Sequence, residues 1–179
     1  GEYACLDGYL SWNLSMLLKD ITAVDINKKN IEKIKLLNQI FKTSIKPLNI
    51  DISNIKTRFN IITLLGCTYL LDKPLTEIKN IILNQISKDK KGLLYVDFRY
   101  WSETDFFPKF IPLKSNNIDL YFEEENMPVG LRYAISPRDE TNYINHPKNC
   151  KSTIFYRESD ILNFIKNIKQ VSKVEIIGR

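Results

Sequence analysis

Glu2-Tyr3-Ala4-Cys5-Leu6-Asp7-Gly8 is followed, after one helical stretch, by Ile21-Thr22-Ala23-Val24-Asp25. An acid sits just before a short turn, and a second acid ends the next apolar run. This pattern reads as a strand–turn–helix–strand unit. In such a unit the turn lets backbone approach a nucleoside-containing ligand, and the second acid is placed to bind ribose hydroxyls. Asp25 comes 23 residues after Glu2, close to the separation expected between turn and ribose acid.

The same rhythm continues to about residue 100. Tyr9 to Leu18 reads as a helix with Leu10, Leu14, Leu17 and Leu18 on one face. Ile21 to Ile26 reads as a buried strand. Asn27 is a plausible N-cap for a helix in which Ile31, Ile34, Leu37, Ile40 and Phe41 recur at helical spacing. Ser44 to Ile50 is a third strand, and Pro47 places it at an edge. Phe59 to Leu65 is an apolar fourth strand. Leu75, Ile78, Ile81, Ile82 and Ile86 mark a helix, and Leu93 to Phe98 a fifth strand. Strands separated by helices imply βαβ units and right-handed crossovers. The fold class expected is α/β: a three-layer α/β/α sandwich with a mostly parallel, Rossmann-like sheet.

Residues 101–150 break this rhythm with prolines (Pro108, Pro112, Pro128, Pro137) and many aromatics. Strands fit at Ile118–Phe122 and Leu131–Ile135, and Glu123-Glu124-Glu125 reads as a solvated loop. The regular pattern resumes at Thr153, with a helix over Ser159–Ile168 and a strand over Lys173–Ile177. The expectation is one domain over 1–179, with 101–150 as an insert. Both ends read as truncated, because the first strand has almost nothing before Glu2 and the last stops near Arg179 without a partner after it.

Bulk composition narrows the class. The chain has 179 residues, 44% hydrophobic and 26% charged, which is ordinary for one soluble domain. It contains no apolar run long enough to span a bilayer and no visible signal peptide. Cys5, Cys67 and Cys150 are odd in number, far apart and without a CxxC, so they read as reduced thiols of a cytoplasmic protein. Net charge is +5, from 26 basic and 21 acidic residues. That balance admits a nucleic-acid surface, but the lysines are spread rather than clustered, as on solvated helix faces.

Four segments in order resemble the motifs of class I S-adenosylmethionine-dependent methyltransferases. Glu2 to Gly8 resembles the first motif, acid-x-Gly-x-Gly-x-Gly, with Ala4 and Leu6 in place of the first two glycines. A bulky residue at position 6 is costly if that position needs positive φ. Ala23-Val24-Asp25-Ile26 resembles the second motif, Asn49-Ile50-Asp51-Ile52 the third, and Phe59 to Gly66 the fourth-strand motif. Tyr156 with the helix and strand after it is similar to the family's late helix and sixth strand. A nicotinamide-binding Rossmann protein is the nearest competitor, but its fingerprint needs turn glycines, and only Gly8 is present.

The resemblance implies S-adenosylmethionine as cofactor and methyl transfer as the reaction. It assigns cofactor contacts to Glu2, Ala4, Asp7, Gly8 and Tyr9, then to Asp25 and Ile26 at the ribose, Asp51 and Ile52 at the adenine, and Leu65 and Gly66 at the methionine end. Asp25 and Asp51 are equally suited to capping the helices after them. On the acceptor side, Arg99, Tyr100, Trp101 and Arg132 are candidates for substrate binding. His146 and Tyr69 are candidate catalytic residues, His146 being the only histidine. The fourth motif lacks Asp/Asn-Pro-Pro-Tyr/Phe, which argues against exocyclic base amines. Cys67 lacks a preceding proline and reads as a core or pocket residue rather than a nucleophile. No acidic cluster follows the fourth strand, so no metal is expected. The acceptor expected is a small molecule or glycan, with 101–150 as its lid. RNA, or a module that binds without transferring, are the alternatives.

Overall fold

The computed structural model describes residues 1–68, 71, 73–88, 91–98, 100–101, 118–124, 127–134 and 152–177. Strand β1 (Glu2–Tyr3) is the middle of a five-stranded parallel sheet. Helix α1 (Tyr9–Ser15) leads to β2 (Thr22–Asp25), and α2 (Lys28–Phe41) leads to β3 (Lys46–Asn49). The chain then returns past β1 to β4 (Ile61–Leu64) and, later, β5 (Leu93–Val96). The spatial order is β3-β2-β1-β4-β5. β3 lies at the edge, where Pro47 is tolerated. The direction of growth reverses between β1 and β4, and in open parallel sheets ligands sit outside the carboxyl ends of strands at such a reversal.

Register decides what each face carries. Glu2 pairs with Ala23 and Thr63, and Tyr3 pairs with Val24 and Leu64. Side chains alternate along a strand, so the first three share one face and the second three the other. On the first face Cys5, Ile21, Ala23, Ile31, Ile34 and Ile45 form one buried cluster, joined by Trp12, Leu14 and Leu37. α1 and α2 therefore cover this face. On the opposite face the Tyr3 hydroxyl donates to Gln85 Oε1 at 2.6 Å. The expected α/β sandwich with a parallel, Rossmann-like sheet is what the chain forms.

The elements differ from expectation in five places. α1 stops at Ser15 rather than Leu18, and Leu17 is 82% exposed. Ser15 Oγ donates back to the Trp12 carbonyl, a local bond that competes with the helix ladder. β4 begins at Ile61; Phe59 makes only an isolated bridge to Ile86. The helix expected through Ile86 is α3 (Pro74–Asn80) followed by a π-helical turn, Ile81–Gln85. At about 4.4 residues per turn this widening carries Gln85 inward, where it is 3% exposed. Lys173–Ile177 is not a strand: it has no ladder partner among the described residues, and Ile176 and Ile177 are exposed. An alternating pattern without a sheet edge to receive it gains no cross-strand bonds. Finally, Glu123 is buried rather than solvated.

The chain divides into two compact units, Gly1–Thr68 with Asn80–Asp97, and Tyr69–Lys79 with Phe98–Arg179. The second unit holds β6 (Tyr100–Trp101), β7 (Ile118–Tyr121), β8 (Gly130–Ala134) and β9 (Ser152–Arg157) in a sheet of order β6-β9-β8-β7. β7, β8 and β9 are antiparallel neighbours, and β6 runs parallel to β9. Helix α4 (Glu158–Lys166) follows, with Glu158 and Asp160 in its first turn, where acids complement the helix dipole. Leu75, Ile154, Tyr156 and Ile161 form the core of this unit. Glu123 is buried here because it closes the N-terminus of α3. Its Oε1 accepts from the Leu75 N–H and the Tyr156 hydroxyl, and its Oε2 from the Thr76 N–H and hydroxyl. Among the described residues no helix is long and apolar enough to cross a membrane.

Candidate cofactor site

Because the sheet is parallel, the segments after β1, β2, β3 and β4 emerge at one edge. The turn after β1 is built by three left-handed residues, Ala4 at φ 52°, Leu6 at φ 48° and Gly8 at φ 79°. These are the three positions at which the resembled motif carries glycine. The backbone keeps that path although two side chains disfavour it, each at a cost of about 1 kcal/mol. Several bonds hold the turn. The Cys5 N–H donates to the Val24 carbonyl, and the Gly8 N–H to the Cys5 carbonyl. The Leu6 N–H donates to Asp25 Oδ2 at 3.1 Å, and the Tyr9 N–H to Asp7 Oδ1.

Gly8 is the one position in the turn that admits no side chain. A Cβ there would lie 2.0 Å from Ile34 Cδ1 and 3.0 Å from Leu37 Cδ1, at a φ that L residues disfavour. Gly8→Ala is expected to destabilise the protein by about 2–3 kcal/mol, combining backbone strain with overpacking of the α2 contact. A shift of the denaturation midpoint measures it; an unchanged midpoint would show that Ile34 yields freely.

Leu6 behaves differently, since its side chain is 52% exposed. Leu6→Gly relieves left-handed strain of about 1 kcal/mol but loosens the unfolded chain by a similar amount. Stability is therefore expected to stay within about 1 kcal/mol. If the turn cradles the cofactor that the resemblance implies, affinity for its product S-adenosylhomocysteine is expected to rise roughly fivefold, because backbone rather than a leucine side chain then faces it. Calorimetry checks this, and no gain would clear Leu6 as an obstacle.

Asp25, at the end of β2, is 5% exposed. Its Oδ1 accepts from the Asn27 N–H at 2.8 Å, and its Oδ2 from the Leu6 N–H and from Asn30 Nδ2 at 3.0 Å. The next residue, Ile26, is 70% exposed. Asn49, at the end of β3, holds this corner by donating its Nδ2 to the carbonyls of Asp25 and Ile26, both at 2.9 Å. Asp51 caps a turn of 3-10 helix, Ile52–Asn54, its Oδ1 accepting from the Ser53 N–H and hydroxyl. Its Oδ2 accepts no hydrogen bond among the described residues. Gln85 spans the layer beneath, accepting from Tyr3 and donating its Nε2 to the Ile52 carbonyl at 2.7 Å. After β4, Leu65 is 44% exposed, and Gly66 is left-handed with open space where a side chain would go.

On the other side of β1, Ser11 of α1 donates to the buried Glu2 carboxylate. Burial raises the Glu2 carboxyl above its usual range, and the Ser11 bond opposes that rise. Burial also pushes the thiols of Cys5 and Cys67 up to about 12. Both thiols are buried, Cys67 at 1% exposure within the core. No group of His, Cys, Asp and Glu among the described residues is placed to hold a metal.

The structure thus gathers Glu2, Ala4, Asp7, Gly8, Tyr9, Asp25, Ile26, Asp51, Ile52, Leu65 and Gly66 around one sheet edge. Tyr100 and Trp101 form β6, and Arg132 lies in β8. Tyr69, Arg99 and His146 lie outside the described residues. Asn30, Asn49 and Gln85 were not anticipated from the sequence. Each acts across 5 to 82 residues of chain, and Gln85 faces inward only because of the π turn.

No protein-family model matches the chain, and no curated protein does. Solved structures do. A S-adenosylmethionine-dependent methyltransferase from Clostridium acetobutylicum ATCC 824 superposes with a TM-score of 0.55 at 17% identity, over 94% of this chain and 71% of that one. The N-terminal domain of EvdMO1, with S-adenosylhomocysteine bound, superposes with a TM-score of 0.57 at 12% identity, over 93% and 62%. The PH0226 protein from Pyrococcus horikoshii OT3 gives 0.56 at 11% identity, over 92% and 69%. The chain therefore spans 62–71% of the length of these three structures. Its fold is the Rossmann-like fold of class I S-adenosylmethionine-dependent methyltransferases.

Proposed function

We propose that the chain is a S-adenosylmethionine-dependent methyltransferase acting on a small-molecule or glycan acceptor. The observation that carries this reading is the edge itself, where acids stand at or just beyond three neighbouring parallel strands beside a turn with three left-handed residues. An adenosyl ligand needs apolar walls, a ribose acceptor and close backbone approach. Ile52 packs against the adenine position, Asp51 accepts from its amino group, and Ile26 lines the ribose. Asp25 takes the ribose. Glu2 and the Ala4–Tyr9 turn, with Leu65 and Gly66, hold the methionine end. Bound S-adenosylmethionine supplies an activated methyl group on a sulfonium. The protein's share is then proximity and in-line orientation.

A base is required only for an acceptor that must lose a proton, and His146 and Tyr69 are assigned to that role. Arg99, Tyr100, Trp101 and Arg132 are assigned to the acceptor, with residues 101–150 as its lid. In this reading the chain works as one methyltransferase-like domain in the cytoplasm. Calorimetric titration of the whole protein with S-adenosylhomocysteine tests the cofactor; no binding sinks the reading. Transfer of labelled methyl to small hydroxyl or amine acceptors tests the rest, and salt-sensitive RNA binding would move the acceptor to nucleic acid. A module that binds without transferring is the second reading, favoured by the strain at Ala4 and Leu6. Cofactor binding with no transfer to any acceptor class would select it.

A further inference from the structure

Carboxylate oxygens have a fixed capacity, and Asp25 is close to it. Each oxygen offers two in-plane acceptor positions. Oδ2 has filled both, with the Leu6 N–H and Asn30 Nδ2. Oδ1 has filled one, with the Asn27 N–H. Among the described residues one position therefore remains, whereas a ribose diol donates two hydroxyls. The backbone donors cannot leave cheaply. Leu6 N–H belongs to the strained turn, and Asn27 is the N-cap of α2, its own side chain accepting from the Lys29 N–H. Asn30 is held to Asp25 by its side chain alone, on the first turn of α2, and can rotate without moving any backbone.

We propose that Asn30 is a specificity-determining residue of the ribose subsite: its amide occupies the acceptor position on Asp25 that the second ribose hydroxyl needs, so a diol must displace it. This rests on the cofactor reading above. The first hydroxyl takes the vacant position on Oδ1. The second gains access to Oδ2 only as Asn30 swings away. A nucleoside with a single ribose hydroxyl leaves Asn30 in place.

The test is calorimetric titration of wild type, Asn30→Ala and Asn30→Ser with S-adenosylhomocysteine and with its 2′-deoxy and 3′-deoxy analogues. Removing the amide is expected to tighten binding of the diol about fivefold, because one charge-assisted bond no longer has to break. Affinity for the deoxy analogues is expected to stay within twofold of wild type. Weaker binding of S-adenosylhomocysteine by the variants would show that Asn30 positions Asp25 instead of blocking it, and overturns the proposal. Equal changes for diol and deoxy ligands also overturn it. Wild type that binds while the variants gain nothing removes this inference alone. Wild type that binds no S-adenosylhomocysteine removes the cofactor reading with it. The Asn30 side-chain amide resonances provide a second measurement in unaltered protein: they are expected to move on addition of the diol and to stay fixed with the deoxy analogues.

Discussion

Glu123→Ala is expected to lower stability by about 3 kcal/mol, a drop in Tm of roughly 6–12 °C for a chain of this size. The size follows from how completely that carboxylate is used. It accepts four hydrogen bonds, two from the first N–H groups of α3, one from the Thr76 hydroxyl and one from the Tyr156 hydroxyl. Pro74 opens α3 and has no N–H, so the Leu75 and Thr76 donors are the ones that need a cap, and among the described residues Glu123 is the side chain that provides it. Removing a cap costs about 1 kcal/mol, and stranding further buried donors adds about 1–3 kcal/mol. Glu123→Gln keeps one oxygen and turns an amide against a donor, so about half the loss is expected. Tyr156→Phe removes one donor and leaves the cap intact, at about 1 kcal/mol. Denaturant midpoints rank the three, and amide exchange at Leu75 and Thr76 localises the effect. If Glu123→Gln were as stable as wild type, the charge at the helix N-terminus would carry none of the interaction.

Glu123 also shows why part of the fold was illegible. Three consecutive glutamates look solvated when read alone, and the partners of the first stand 33 to 48 residues away. The parallel sheet was legible because each strand is a short apolar run followed by a helix of fixed period. Those are local signals, and with the rule of right-handed crossovers they give βαβ units and a parallel sheet; the order β3-β2-β1-β4-β5 is set by pairings between strands far apart in sequence. The π turn was not legible, since Leu75, Ile78, Ile81 and Ile82 satisfy an α-helical period up to the residue at which the helix widens. Lys173–Ile177 alternates like a strand without forming one among the described residues, because alternation describes a half-buried strand only where a sheet edge exists to receive it.

The candidate site divides the same way. Acids after β2 and β3 stand out in sequence, and so do the missing glycines at positions 4 and 6. Whether the backbone would keep its path through Ala4 and Leu6 depends on what holds the turn, and that includes Asp25, nineteen residues from Leu6. Asp51 was open between ligand and cap, and the structure uses its two oxygens unequally. Oδ1 caps the 3-10 turn through Ser53, which leaves Oδ2 facing no donor among the described residues. A residue type that suits both jobs can do both, one oxygen at a time. The asparagines that tie the corner together escaped notice because an amide in a Lys- and Asn-rich chain carries no periodic signal.

Asp25→Asn is the substitution expected to affect the proposed function most. The change preserves shape but replaces one acceptor oxygen by an NH2 group. Whichever way the amide is turned, that group faces a donor: the Asn27 N–H on one side, the Leu6 N–H and Asn30 Nδ2 on the other. Turning it toward Asn27 sacrifices one bond, whereas turning it toward Leu6 sacrifices two and releases the strained turn. The first orientation should prevail, so the expected loss of stability is about 2 kcal/mol, one buried donor left unpaired. The cost in ligand affinity is larger. The acceptor position that stood vacant on Oδ1 is the one lost, and the remaining oxygen is already filled by Leu6 and Asn30. The first ribose hydroxyl then has no acceptor, and the second displaces Asn30 from a neutral amide oxygen rather than a carboxylate; hydrogen bonds to a charged group contribute about 1.5–3 kcal/mol each. S-Adenosylhomocysteine affinity should fall at least 100-fold, while the protein remains folded at room temperature. Calorimetry beside a thermal melt separates the two effects. A variant that is less stable by about 2 kcal/mol yet binds with wild-type affinity would place the ribose elsewhere on the edge, and leave Asp25 the structural task of holding the turn closed.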